Sequence, residues 1–423
     1  MGHCPIFILS EMNANQLIDH FFRTEYGKAV SHLTNRFGSE NLELAEDAVQ
    51  DTLIKAMQTW PFGQVPDNPT GWILKVAGNR MIDQLRRLQK QTNEEMPELS
   101  ENLVEDVSLT DINDDMVRMM FACCHPTLSA EYQIILTLKI LGGLSIREIS
   151  TSLLKKEETI AKSYTRAKKK FKEDEIKLTL PPANEVEKRL EMVLKIIYLL
   201  FNEGYKSAEG KVLIREDLCA EAMRLNAVLL KTELCSTPSA YALMSLMCFH
   251  SSRFAARVDE QGEIISLEDQ DRSKWSDELI LRGQRYLQKA TDTDAVNDYV
   301  IQAAISSYHC NAVNFEETRW DEILRLYDVQ LQINPSPVIR LNRIVPMEKV
   351  HGSMLAYSEI EELEETGFFD AYYLFYAIKG GILQNLGEVQ ESSIALKKAI
   401  SLTKNERELN YLNKKLDMLS NSD

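Results

Sequence analysis

Residues 145–172 read Ser-Ile-Arg-Glu-Ile-Ser-Thr-Ser-Leu-Leu-Lys-Lys-Glu-Glu-Thr-Ile-Ala-Lys-Ser-Tyr-Thr-Arg-Ala-Lys-Lys-Lys-Phe-Lys. This is the pattern of two short helices around a tight turn, the second strongly basic. At 100° per residue, Ile160, Tyr164, Ala167 and Phe171 form one apolar stripe, and Lys162, Arg166 and Lys169 fall opposite it. In the preceding helix Ile146, Ile149 and Leu153 repeat at i, i+3, i+7, so both helices have a face to bury. The segment predicts a helix-turn-helix and makes DNA the leading partner. The plainer alternative is a solvated basic helix.

Charge singles out the same segment. The 423-residue chain carries −16 overall, which argues against nucleic-acid binding over its whole surface. Residues 116–172 carry +7, whereas residues 92–115 hold nine acids and no Lys or Arg, and residues 173–423 carry −13. Seven cysteines without framework spacing fit a reducing cytosol, so a cytoplasmic location is expected. No signal peptide is expected at the start, and no run approaches the 18 apolar residues of a spanning helix, so no membrane partner is expected. Patterned sequence begins just after Met12, which makes it the expected natural start.

Breakers divide the chain into an all-α architecture. Residues 13–91 form a first helical block. A helix near 40–60 puts Ala45, Val49, Thr52, Leu53, Ala56 and Trp60 on one face, and then meets the Pro61, Pro66 and Pro69 loop. A second, about 70–90, places Ile73, Ala77, Met81, Leu85 and Leu88 on one side. Lys75, Asn79, Asp83, Arg86, Arg87 and Lys90 share the other, an arc that faces either solvent or a nucleic acid. Residues 92–115 read as an acidic flexible linker and 116–172 as the helix-turn-helix domain, with Pro181-Pro182 as the next boundary. Residues 184–423 continue in helices. Within them 373–406 fit the 34-residue helix-turn-helix repeat through Tyr376, Gly380, Leu383, Gly387, Leu396, Ala399 and Leu402. Residues 336–369 make another unit of that length, interrupted by Pro346, and Ser392 stands where the repeat usually has Ala.

Two helical units in this order, the second with a helix-turn-helix, resemble the two regions of an extracytoplasmic-function sigma factor of bacterial RNA polymerase. Ala45 to Ala56 resembles the helix with which that family grips the coiled coil of the polymerase's largest subunit, Asn79 to Arg87 its −10 helix, and 144–172 its −35-reading domain. Met119 to Pro126, Leu199 to Tyr205, Asp217 to Ala222 and Leu267 to Arg272 are similar to the subgroup with a long TPR-like C-terminal extension. The resemblance implies core polymerase, through that coiled coil and the flap of the second-largest subunit, and promoter DNA as partners, with no cofactor and no catalytic activity. It also implies a regulatory extension that contacts the sigma domains. On it, Asp47, Gln50 and Asp51 are the polymerase-binding residues. Asn79, Arg80, Asp83, Arg86 and Arg87 address the −10 region, as do Glu158, Thr159, Lys162, Ser163, Arg166, Lys169 and Lys170 the −35 region, with Lys168 and Lys172 as further phosphate contacts. The loop 61–69 is where the family captures an unstacked base, with Phe62 or Trp72 as a stacking face.

The other reading is a transcriptional regulator whose repeats sense a peptide or small molecule. It leaves residues 40–91 without a task. Cys123-Cys124-His125 lacks the spaced second pair that zinc needs, so its expected role is packing and helix termination, and Cys248/His250 and His309/Cys310 fare no better. The stretch Arg253 to Trp275 is rich in charges around Glu268, Asp269, Asp271 and Arg272. It reads as a buried ion-pair network or, alternatively, a ligand site.

Overall fold

The computed structural model describes residues 14–60, 65–92, 109–153, 155–205, 214–293, 296–403 and 405–420. Met12 and Phe62 lie outside them. Among the described residues there are eighteen α-helices and no strands. They fall into two units. The first comprises the chain up to Gly204 with Glu216–Ser236, the second Tyr205–Arg215 with Thr237–Asp423.

In the first unit, α1 (Ala14–Phe37), α2 (Leu42–Thr59) and α3 (Pro69–Thr92) pack together. α2 buries Leu42, Ala45, Ala48, Val49, Thr52, Leu53 and Ala56, the expected stripe widened by one row, and Thr52 returns its hydroxyl to the Ala48 carbonyl at 2.7 Å. α3 opens on a proline whose φ suits a first helical turn, and the Asn68 side chain accepts from the Gly71 N–H at 3.0 Å. It buries Ile73, Leu74, Ala77, Met81, Ile82 and Leu85. Leu88, expected on this stripe, is 45% exposed.

α4 (Leu109–Cys123) begins inside the stretch read as linker. Its acid Asp115 is buried, accepting from Asn35 at 2.6 Å and pairing with His32 Nδ1 at 2.7 Å. Counting charges hid the spacing of Ile112, Met116 and Met119/Met120, all buried, which carries the helix back to Leu109. α5 (Ala130–Ile140), α6 (Ile146–Ser152) and α7 (Glu157–Glu173) complete the second block. Cys123 and Cys124 end α4 fully buried, and burial pushes both thiols up, Cys124 to about 12.

The first unit also takes in residues read as the start of the extension. α8 (Ala183–Tyr205) sends Arg189 to the Phe121 carbonyl, its guanidinium 5.7 Å from the Phe121 ring. On α9 (Glu216–Leu229), Arg224 and Glu221 form a buried bidentate pair. Glu221 also accepts from Thr24 of α1 at 3.2 Å, and Arg224 reaches Met116 Sδ at 3.4 Å. The helices also bury Val186, Leu190, Val193, Leu194, Ile197 and Phe201 of α8 and Leu218, Met223 and Leu225 of α9, an apolar pattern that predicts the helices without saying which unit they join.

The second unit runs through α10 (Pro238–Ser251), α11 (Asp277–Thr291), α12 (Asp298–Asn311), α13 (Trp320–Ile333), α14 (Pro337–His351), α15 (Ser353–Glu365), α16 (Tyr373–Leu386), α17 (Val389–Leu402) and α18 (Glu406–Ser420). From α12 onward each helix packs on the next. α16 and α17 form a hairpin closed by Gly387 at φ +81°, and Gly380 lets α17 approach so closely that a Cβ there would stand 2.9 Å from Leu396. Ser392 has its own task at this crossing, donating to the Gly380 carbonyl at 2.8 Å. Pro346 lies inside α14, where it removes one helical hydrogen bond without ending the helix. Gly380→Val is expected to overpack this crossing and to destabilise the second unit by about 1–3 kcal/mol. Denaturant unfolding checks it, and a change below about 0.5 kcal/mol would contradict the close approach.

Candidate nucleic-acid interface

The helix-turn-helix is set by local chemistry. Gly143 enters it at φ +61°, where a Cβ would meet the Arg23 backbone at 3.0 Å. Ser145 then caps α6 in a capping box, its hydroxyl accepting from the Glu148 N–H at 3.2 Å while Glu148 accepts from the Ser145 N–H at 2.7 Å. Ile149, Ile160, Tyr164, Ala167 and Phe171 form the buried seam, as the sequence stripe requires. On the opposite face of α7, Glu158, Thr159, Lys162, Arg166 and Lys169 are exposed. Ser163 is half-buried and donates to Glu131 of α5 at 3.1 Å, and Lys170 pairs with Asp174 at 2.9 Å. The accessible basic face is therefore narrower than the residues named from sequence.

On α3, Lys75, Asn79, Asp83, Arg86, Arg87 and Lys90 are all exposed. Arg80 pairs with Asp51 of α2 at 2.5 Å and so joins two helices of the first block. Asp47, Gln50 and Asp51 share an exposed face of α2. Burial raises the Asp47 carboxyl, Lys168 opposes this, and Glu43, Glu46 and Asp51 add to the rise. Ile54 and Met57, 46% and 56% exposed, extend the same side of α2. They could have been found as apolar residues lying off the buried stripe. Trp72 is half-buried, its ring edge-on to Trp60 at 5.5 Å, in a cluster with Phe21 and Phe22.

Glu46 is the residue that sequence reasoning passed over. Buried on α2, it accepts from Tyr26 at 2.8 Å and from Tyr164 of α7, and pairs with Lys168 of α7 at 3.2 Å. Lys168 also reaches Glu43 at 3.1 Å and lies 5.0 Å from the Tyr164 ring centre. Expected to touch phosphate, Lys168 is instead turned onto α2, because it stands one residue beyond Ala167 at the margin of the buried seam. Burial, then Glu46, holds the Tyr26 and Tyr164 hydroxyls well above their usual range. The seam continues at Gly27 of α1, where a Cβ would stand 2.9 Å from the Leu141 carbonyl, and at Arg23, which pairs with Glu148 at 2.8 Å.

That last pair makes stability depend on pH. Burial alone would raise Glu148, but Arg23 and the Ser145 hydrogen bonds outweigh it and bring the carboxyl from 4.5 to about 2. A carboxyl lowered by folding contributes stability above its unfolded value and loses it as pH falls through its folded one. Glu148→Gln is expected to lower stability at pH 7 and to flatten the loss between pH 4.5 and 2. Identical pH profiles for the two proteins, measured by chemical unfolding, would contradict this.

Two helical blocks, one bearing a helix-turn-helix with an outward basic face, are matched by known families. Residues 22–91 match Sigma-70 region 2 and residues 118–171 match Sigma-70, region 4. Residues 189–291 match a family of unknown function (DUF6596). The chain belongs to the extracytoplasmic-function sigma factors with a long C-terminal extension. This sigma factor is 36% identical over 387 residues, 90% of its length and 91% of the relative's, to "Uncharacterized protein R00370" of Rhizobium meliloti (strain 1021). No solved structure matches it. As a sigma factor it acts with core RNA polymerase in promoter recognition at transcription initiation. No helix among the described residues is long and apolar enough to cross a membrane.

Proposed function

We propose that α2 of this cytoplasmic sigma factor holds the coiled coil of the polymerase's largest subunit through Asp47, Gln50 and Asp51, while the helix-turn-helix block meets the flap of the second-largest. α3 then addresses the −10 element through Asn79, Arg80, Asp83, Arg86 and Arg87. α7 enters the −35 major groove with Glu158, Thr159, Lys162 and Arg166, supported by Ser163, Lys169 and Lys170. The chain catalyses no reaction of its own. The observation that carries this reading is the division of each block into a buried stripe and an exposed polar face, with acids on α2 and bases on α3 and α7. Acids at helical spacing suit a basic partner, and arginines and lysines suit phosphates. Residues 184–423, in part a TPR-like stack, regulate the first blocks through contacts of the kind Arg189 and Glu221 make.

Replacing Asp47, Gln50 and Asp51 together by Ala tests the polymerase contact. Each exposed contact contributes about 0.5 kcal/mol, so affinity for core enzyme is expected to fall roughly tenfold with helicity unchanged. Unaltered affinity would remove this reading of α2. For DNA, removing the charge of Arg86, Arg87, Lys162 or Arg166 in holoenzyme is expected to lower the slope of log affinity against log salt by about one each. Unchanged slopes and unchanged promoter opening would leave these side chains as solvated surface.

A further inference from the structure

Among the described residues the charges around Arg272 do not pair with one another, whereas Glu263 of the same stretch pairs with Arg407 at 2.8 Å and Lys414 at 3.6 Å. Of the other acids, Asp269 takes the Ser266 hydroxyl at 2.5 Å, Asp271 caps the turn at Ser273, and Glu268 is exposed. Arg253 and Arg272 turn inward. The guanidinium groups of Arg272 and Arg253 lie 4.7 and 5.4 Å from the centre of the Trp275 ring, and neither arginine forms an ion pair among the described residues. Arg257 lies 3.8 Å from the Tyr205 ring and donates to the Tyr205 carbonyl at 2.6 Å.

Part of this charge answers helix ends. Arg272 Nη1 donates to the carbonyls of His309 and Ala312, at 2.5 and 2.8 Å, where α12 ends, and α8 and α10 end at Tyr205 and Ser251. Each end supplies about half a negative charge, so the ends of α10 and α12 leave a surplus of roughly one positive charge over Arg253 and Arg272. Hydrogen bonds show the same deficit. Arg253 Nε, Arg272 Nη2, Trp275 Nε1 and His309 Nδ1 are closed off from solvent without a partner among the described residues, and Trp275 is only 6% exposed. The arginine and indole nitrogens are three buried donors that call for an acceptor. Both histidines carry the mark of the surplus: burial and then Arg253, Arg257 and His309 hold His250 down to about 3, and burial and then Arg253 and Arg272 hold His309 down to about 4.

We propose that Arg253, Arg272, Trp275 and His309 form a binding site for a small oxyanion of the phosphate class. Arginine and indole nitrogens are donors only, which suits phosphate oxygens and offers nothing to a cation. Bound phosphate draws the His309 proton affinity back up, so that Nδ1 becomes a further donor. Arg253, Arg272 and Trp275 lie in the segment that matches the family of unknown function, His309 follows it in the chain, and the site is independent of the promoter contacts above.

Titration calorimetry of the full chain with inorganic phosphate, in HEPES at constant chloride, tests this. One saturable site is expected, weakened about tenfold or more in Arg253→Gln, which leaves the Arg272 caps in place. Without phosphate, Arg253→Gln is expected to keep or raise the thermal midpoint, because it removes charge from an uncompensated cluster. Glycerol phosphate and acetate separate the sources: equal binding of glycerol phosphate points to a phosphorylated metabolite, and binding of phosphate alone to the free ion. Acetate binding more tightly than phosphate would overturn the phosphate assignment. An NMR pH titration of His309 gives a readout that needs no variant, its midpoint rising with phosphate. Absence of a saturable site, an unaltered affinity in Arg253→Gln, or a His309 midpoint indifferent to phosphate would overturn the proposal.

Discussion

Glu46→Ala is expected to destabilise the first unit by about 3–5 kcal/mol, a large share of the stability of a domain this size. The substitution removes one carboxylate and strands three groups at once: the hydroxyl of buried Tyr164, that of half-buried Tyr26 and the ammonium of Lys168. The Tyr164 phenol then lacks its acceptor inside the seam, Tyr26 loses its own, and Lys168 keeps only the exposed Glu43. Glu46→Gln, which retains an acceptor for the tyrosines, is expected to lose less. Denaturant unfolding of the three proteins gives the comparison. A loss under about 1 kcal/mol for the Ala variant would show that the seam between α2 and α7 contributes little to stability.

Truncation at two places is expected to give opposite results. Ending the chain after Pro182, where composition suggests a boundary, removes α8 and α9. It leaves Thr24, Met116 and the Phe121 carbonyl facing solvent in place of Glu221, Arg224 and Arg189. Loss of the buried Glu221–Arg224 pair and its neighbours exposes the apolar faces of α1 and α4, so this fragment is expected to aggregate or to melt well below the full chain. Ending after Ser236 keeps the whole first unit and is expected to give a soluble fragment with a cooperative transition. A shorter fragment as stable as the longer would mean that α8 and α9 sit on the sigma domains without supporting them.

Periodicity carried most of the fold. The stripes of α2, α3 and α7 were legible because each buried face repeats at 3.6 residues. What could not be read was held by polar groups whose partners lie far along the chain. Asp115 looked like one more linker acid because His32 and Asn35 are about eighty residues away, and Lys168 like one more phosphate ligand because Glu46 is more than a hundred away. Ser163 shows the same limit on a smaller scale: spacing put it on the reading face, and a single hydrogen bond to Glu131 draws it aside. Spacing reports which way a side chain leaves its own helix and is silent on what waits there.

The seam at Gly27, Arg23 and Glu46 sets a problem of reach. A compact body of some 220 residues is roughly 45 Å across. Promoter elements centred near −35 and −10 stand about 25 base pairs apart, close to 85 Å along the duplex at about 3.4 Å per step. On the reading proposed above, a helix fastened beside α2 cannot lie in the −35 element while α3 touches the −10 element, so engagement of a whole promoter would require the two blocks to part, and the closed arrangement of α2 and α7 would be a stored form. Whatever separates Lys168 from Glu46 would then set how much of the protein is available for initiation, and the free energy of that separation would be subtracted from every promoter the factor opens.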